Sequence, residues 1–170
     1  IGIFRNIIHL SVINPTYWIF GIVFVLQGVL FLLAGTLFEK LVFRFNFKPV
    51  PIIGAFFILY AMVIYPLLGI SFGHLYPKSP MFGVAPCPTT IFTFGILLWT
   101  TKPVPSYLLI IPFLWSLIGM IAAVALRVPQ NYGLVVAGVV GTVLILIQNR
   151  KAKRLAHFGA PAEAQKAAHP

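Results

Sequence analysis

Carboxylates are almost missing from this sequence. It has no Asp, and its two Glu residues stand far apart at Glu39 and Glu163, so nothing acidic lies between Lys40 and Ala162. That absence removes paired-carboxylate acid–base chemistry, a Ser-His-Asp triad and a carboxylate-held Mg or Ca site, and no enzyme activity is expected. Cysteine occurs once, at Cys87, which excludes an internal disulfide and leaves the redox compartment unread. Charge is sparse too: 8% of the 170 residues, where a soluble domain carries about 25%. The period-2 alternation of a membrane β-barrel is also lacking. What remains is apolar, at 60% hydrophobic residues. Together these place the chain in an all-α class, as a polytopic transmembrane helix bundle.

Crossing a hydrocarbon core of about 30 Å takes roughly 20 apolar residues in a helix. Residues 16–37, 50–70 and 106–126 supply runs of that order, and 132–147 supplies a shorter one. A further run at 89–101 is bounded by Pro88 and Pro103 and is too short to cross as a regular helix. Residues 1–13, interrupted by Arg5 and His9, are expected to be the end of a helix that starts before them. The bundle therefore occupies 1–148, and 149–170 is a basic tail expected to lie in the cytoplasm and to touch anionic lipids.

The twelve Lys and Arg residues give a net charge of +10. If each of the five segments from residue 16 onward crosses once, Lys40, Arg44, Lys48, Lys102 and the tail share one side. Arg5, Lys78 and Arg127 take the other. By the positive-inside rule the crowded side and the C-terminus are cytoplasmic, as in a multi-pass protein of a bacterial inner membrane. The lipid bilayer is then the main partner. Small residues recur at Gly21, Gly28 and Gly35, at Gly119 and Ala123, and at Ala137 and Gly141. They suit close helix contacts inside the bundle, or a homo-oligomer or membrane-complex interface. Nucleic acid is excluded as a partner, because no soluble basic surface with aromatic platforms is available.

One segment departs from this plan. Residues 73–101 read GHLYPKSPMFGVAPCPTTIFTFGILLWTT, with prolines at 77, 80, 86 and 88. Residues 77–88 are expected to be non-helical, yet 81–87 is too apolar for a free loop. The expectation is a Pro-rich loop that dips into the membrane and meets the short helix there, as broken segments do at transporter sites. Cys87 is placed at the N-cap, Pro88 in the first turn, and Thr89, Thr90 and Thr93 along the start of that helix. With His74 and Pro86 these residues form a candidate solute pocket. Gln27, the one strongly polar side chain deep in its span, is a candidate solute contact or an interhelical hydrogen bond. His9, His74 and Cys87, with Met81, are weak candidates for a soft metal, although their spacing is irregular. Which cofactor, if any, the chain takes is unknown from its sequence.

Two stretches resemble known patterns: HLSVINPTYWIFGIVFVLQ at 9–27 and GHLYPKSPMFGVAPCPTTIFTFG at 73–95. They are similar to those of a bacterial family of small multi-span integral membrane proteins catalogued as a domain of unknown function. The resemblance covers nearly the whole chain. It implies a bacterial source and one or two further spans upstream, and it implies no activity. The positions that carry it are Asn14, Pro15, Gly73, His74, Pro77, Pro80, Pro86, Cys87, Pro88, Thr89 and Thr90.

The functional expectation is a small passive permease or channel for a small neutral or anionic solute. With no carboxylate inside the bundle, proton coupling through Asp or Glu is excluded. An accessory structural subunit of a larger membrane complex is the alternative. An intramembrane thiol enzyme using Cys87 and His74 would lack a carboxylate to orient the base.

Overall fold

The computed structural model of the chain describes residues 16–72, 82–83, 85–125 and 128–167. Helix α1 spans Thr16–Leu32 and ends in a widened π turn, Leu33–Leu37. Helix α2, Pro49–Leu59, passes through a second π turn, Tyr60–Ile64, into α3, Tyr65–Ser71. Helix α4 is short, Pro86–Leu97; α5 is Tyr107–Ala125; and a 3₁₀ turn at Pro129–Asn131 leads into α6, Tyr132–Ala167. The described residues contain one isolated β-bridge, between Phe43 and Thr100. Three helical segments are long and apolar enough to cross a membrane: Pro49–Ser71, Tyr107–Ala125 and Pro129–Leu155.

Prolines set several of these boundaries. Pro49 opens α2 after the extended Lys48, in a first turn that needs no N–H from it. Pro66 follows the π turn at 60–64, where its missing N–H removes a rung of the helix. Pro112 sits inside α5 and leaves the Leu108 carbonyl without its helical donor. The expected start of the short helix needs correction. Helix α4 begins at Pro86 with Ala85 as N-cap, so Cys87 is not the cap. Pro86 and Pro88 both fall in the first turn, whose N–H groups have no partner in the helix, so the backbone loses nothing by lacking them. The helix also stops at Leu97, because Thr101 then donates to Val42 O and Arg44 donates to Trp99 O, each at 2.8 Å. At the C-terminus α6 continues past the expected end at 147, through the basic run and on to Ala167. Alanines at 152, 156, 160, 162, 164 and 167 favour helix there, while Gly159 and Pro161 oppose it.

Helix α4 is the centre of the fold. It packs against α2, α5 and α6, with Ile91, Phe94 and Leu97 fully buried. Two glycines allow its crossing with α2: a β-carbon on Gly54 would lie 2.6 Å from Gly95 O, and one on Gly95 2.8 Å from Gly54 O. Gly141 of α6 gives way to the Phe94 ring, and Gly119 of α5 to Leu134. The small residues at 119 and 141 therefore serve internal contacts. Gly28 and Gly35 have nothing within 4 Å. Helix α1 lies at the periphery against α5, with Ile22, Val25, Leu26, Val29 and Leu32 exposed.

The described charged side chains gather at one end. Among the described side chains the basic ones are Lys40, Arg44, Lys48, Lys102, Arg150, Lys151, Lys153 and Arg154. Asn149 ties this end together: Val104 N donates to its Oδ1 at 2.8 Å, and its Nδ2 donates to Val104 O at 2.7 Å.

Candidate functional site

The expected site residues divide into three groups. His9 and His74, with Met81, lie outside the described residues, which leaves Cys87 as the one described metal candidate and puts most of the dipping loop outside as well. Among the described residues no three His, Cys, Asp or Glu side chains gather as a metal site would require.

The second group is occupied by backbone. Thr89 Oγ1 donates to Ala85 O at 2.7 Å, Thr90 Oγ1 to Pro86 O at 2.9 Å and Thr93 Oγ1 to Thr89 O at 2.9 Å. These are the i−4 bonds that hydroxyls make inside helices. Gln27 Nε2 donates to Leu108 O at 3.1 Å, the carbonyl that Pro112 deprives of its helical donor. Gln27 thus repairs a proline break from a neighbouring helix. The segment before α4 folds back on it: the Phe82 ring lies 4.5 Å from Phe92, and Gly83 N donates to Thr89 Oγ1 at 3.2 Å. Gly83 holds a left-handed φ of +76°, which glycine adopts without penalty, and this makes the reversal possible.

The third group is Cys87 and what surrounds it. Its thiol faces the Tyr65 hydroxyl and the Trp115 indole. Tyr65 is 1% exposed and donates to Asn131 Oδ1 at 2.5 Å. Tyr60 donates to Gln130 O at 2.9 Å. The π turn produces this pairing. In an α-helix, residues five apart point in different directions, but here Tyr65 N bonds Tyr60 O and the two rings meet edge to face at 6.3 Å. Both hydroxyls therefore reach the 130–131 turn, and Gly133 leaves room for the Tyr60 ring. π turns of this kind occur often at functional sites.

Gln130 is the unusual member. It is 1% exposed, yet neither its Nε2 nor its Oε1 has a hydrogen-bond partner. A buried amide left unpaired costs about 1–3 kcal/mol. Beside it in sequence, Pro129 and Tyr132 line an open depression of about 360 Å³ with Phe72, Ala123 and Val124. Register places Cys87 near the same level. Phe94 meets Gly141, and seven residues back along each roughly parallel helix stand Cys87 and Leu134, about a turn inside the start of α6.

The structure thus brings Cys87 into a polar cluster, keeps Pro86, Pro88 and the threonines on the helix that presents it, and sets Gln27 in a separate contact. Tyr60, Tyr65, Trp115, Gln130 and Asn131 are the residues that sequence reasoning missed. Two signals pointed to them: Pro66 inside an apolar span with tyrosines five apart, and a Gln-Asn pair after Pro129. Over residues 1–156 the chain matches the Family of unknown function (DUF6064). It belongs to that family. It matches no curated protein and no solved structure.

Proposed function

We propose that this DUF6064 member is a multi-pass protein of a bacterial inner membrane that passes a small neutral solute by way of the cluster at Tyr65, Cys87, Gln130 and Asn131. The basic end and the C-terminus face the cytoplasm, following the positive-inside rule. The observation that carries the reading is the buried Gln130 amide, which offers one free donor group and one free acceptor in the turn whose Pro129 lines an open depression. A neutral solute suits this uncharged amide, which has one donor group and one acceptor to offer. Small solutes are typically fixed by a few such polar groups in apolar surroundings.

The test is osmotic swelling of proteoliposomes with small neutral amides and polyols, for the native chain and for Gln130→Leu. Leucine removes an unpaired buried amide, so the variant is expected to melt higher, by the equivalent of about 1–3 kcal/mol, and to lose solute flux. Flux no greater than in protein-free vesicles, or flux untouched by the substitution, overturns the reading. A second reading, an accessory subunit of a larger complex, is favoured by α1, whose exposed apolar face and open Gly28 and Gly35 suit a covering helix. Recovery of a stoichiometric partner whose loss follows Gly28→Leu would support that reading instead.

A further inference from the structure

The segment between α1 and α2, Phe38–Lys48, is short of regular structure but firmly held. Arg44 N and Thr101 N make the paired bonds of its bridge to the end of α4. Lys102 Nζ donates to Glu39 O at 2.9 Å, and Trp99 Nε1 donates to Pro51 O at 2.9 Å. The rings of Phe47, Phe45 and Trp99 follow one another edge to face at 5.4 and 5.2 Å. This strap is both greasy and cationic. Phe38, Phe43 and Phe45 are exposed and Phe47 is 89% exposed, while Lys40, Arg44 and Lys48 alternate with them. Lys40 Nζ stands 5.1 Å from the centre of the Phe38 ring. Exposed aromatic rings beside Lys and Arg are the composition of a membrane interface, and clustered basic groups there select anionic headgroups.

We propose that the strap, with Lys102, is a binding surface for anionic lipid headgroups, and that their binding clamps the end of α4. The proposal rests on the membrane placement above but not on transport. Its occupant is fixed by charge complementarity: within 38–48 and at 102, Lys40, Arg44, Lys48 and Lys102 face a single acid, Glu39. The strap's main-chain bonds reach Trp99 and Thr101, just past Leu97, so an ordered strap fixes the end of the helix whose first turn carries Cys87. This surface differs from the basic run on α6, which has no such attachment to α4.

The experiment is hydrogen exchange on the full chain in phosphatidylcholine nanodiscs, with and without phosphatidylglycerol. Exchange at the Arg44 and Thr101 amides is expected to slow by about tenfold or more when the anionic lipid is present, given three or four nearby cations. Inorganic phosphate in pure phosphatidylcholine discs should not reproduce the slowing. Arg44→Gln/Lys48→Gln/Lys102→Gln should abolish it, whereas neutralising Arg150, Lys151, Lys153 and Arg154 should leave it. Equal exchange in the two lipids, reproduction by phosphate, or loss only in the α6 variant each overturns the proposal. Failure to incorporate into discs at all would instead overturn the membrane placement.

Discussion

The bond from Gln27 to Leu108 has a consequence that a double-mutant cycle can measure. Pro112 has no N–H, so Leu108 O lacks its usual donor four residues on, and Gln27 Nε2 fills the gap at 3.1 Å. Gln27 itself is 6% exposed, and its Oε1 has no partner. Gln27→Leu removes the donor and the unpaired oxygen together. Orphaning the carbonyl costs about 1–3 kcal/mol, and deleting the lone acceptor returns part of that. Measured interhelical bonds inside membranes average about 0.6 kcal/mol. The expected loss is therefore about 1 kcal/mol. Pro112→Ala restores an N–H that can bond Leu108 O within α5. In that background Gln27→Leu should cost nothing or stabilise slightly, which gives a coupling of about 1 kcal/mol between the two sites. Unfolding in mixed micelles by a helix-sensitive probe, over the four proteins of the cycle, reads this directly. Equal losses in the two backgrounds would refute the repair role and leave Gln27 with another task.

Three other outcomes follow from contacts elsewhere in the fold. Gly95→Ala should destabilise by about 2–3 kcal/mol, because its β-carbon would meet Gly54 O at 2.8 Å, and Gly28→Ala, which meets nothing, should be neutral or mildly stabilising in the same melt. Asn149→Ala leaves both polar groups of Val104 unpaired, a loss of about 2–4 kcal/mol that should appear as faster exchange of the Val104 amide. Glu39 holds a left-handed φ of 45° just past the π turn of α1, so Glu39→Gly should raise stability by about 0.5–1 kcal/mol, a gain that a lower melting temperature would contradict.

The helices were legible because their signal is long and one-dimensional. An uncharged apolar run bounded by Pro, Lys or Arg marks its own ends, and residues 16–37, 50–70 and 106–126 match helical segments within one or two residues. Short-range capping was harder to read. The prolines at 86 and 88 suggested a break, yet a helix tolerates proline anywhere in its first turn, so α4 begins earlier than composition implied. The threonines drew attention as polar groups in an apolar run, but a hydroxyl in a helix has a carbonyl four residues back within reach. The cluster was not legible for a different reason. Tyr65, Cys87 and Asn131 are far apart in sequence, and they meet only because a π turn rotates one tyrosine onto the face of another five residues earlier.

That distinction between used and unused polar atoms also bears on function. The Nε2 of Gln27 and both amide atoms of Asn149 spend their hydrogen bonds on main-chain groups that proline or a loop leaves to be satisfied, while the hydroxyls of Thr89, Thr90 and Thr93 add a second bond to helix carbonyls four residues back. Gln27 and Asn149 are accounted for by the demand that a buried backbone be paired, and the threonines by their hydroxyls' own need for an acceptor. Gln130 is not, since Tyr60 takes its carbonyl while its side-chain amide is sealed at 1% exposure with no partner. A packing role alone would be met better by leucine at that position. An occupant that brings both a donor and an acceptor would turn the same amide from a liability into a binding group, and so Gln130, rather than the threonine-rich start of α4, is the position at which solute flux should first be lost.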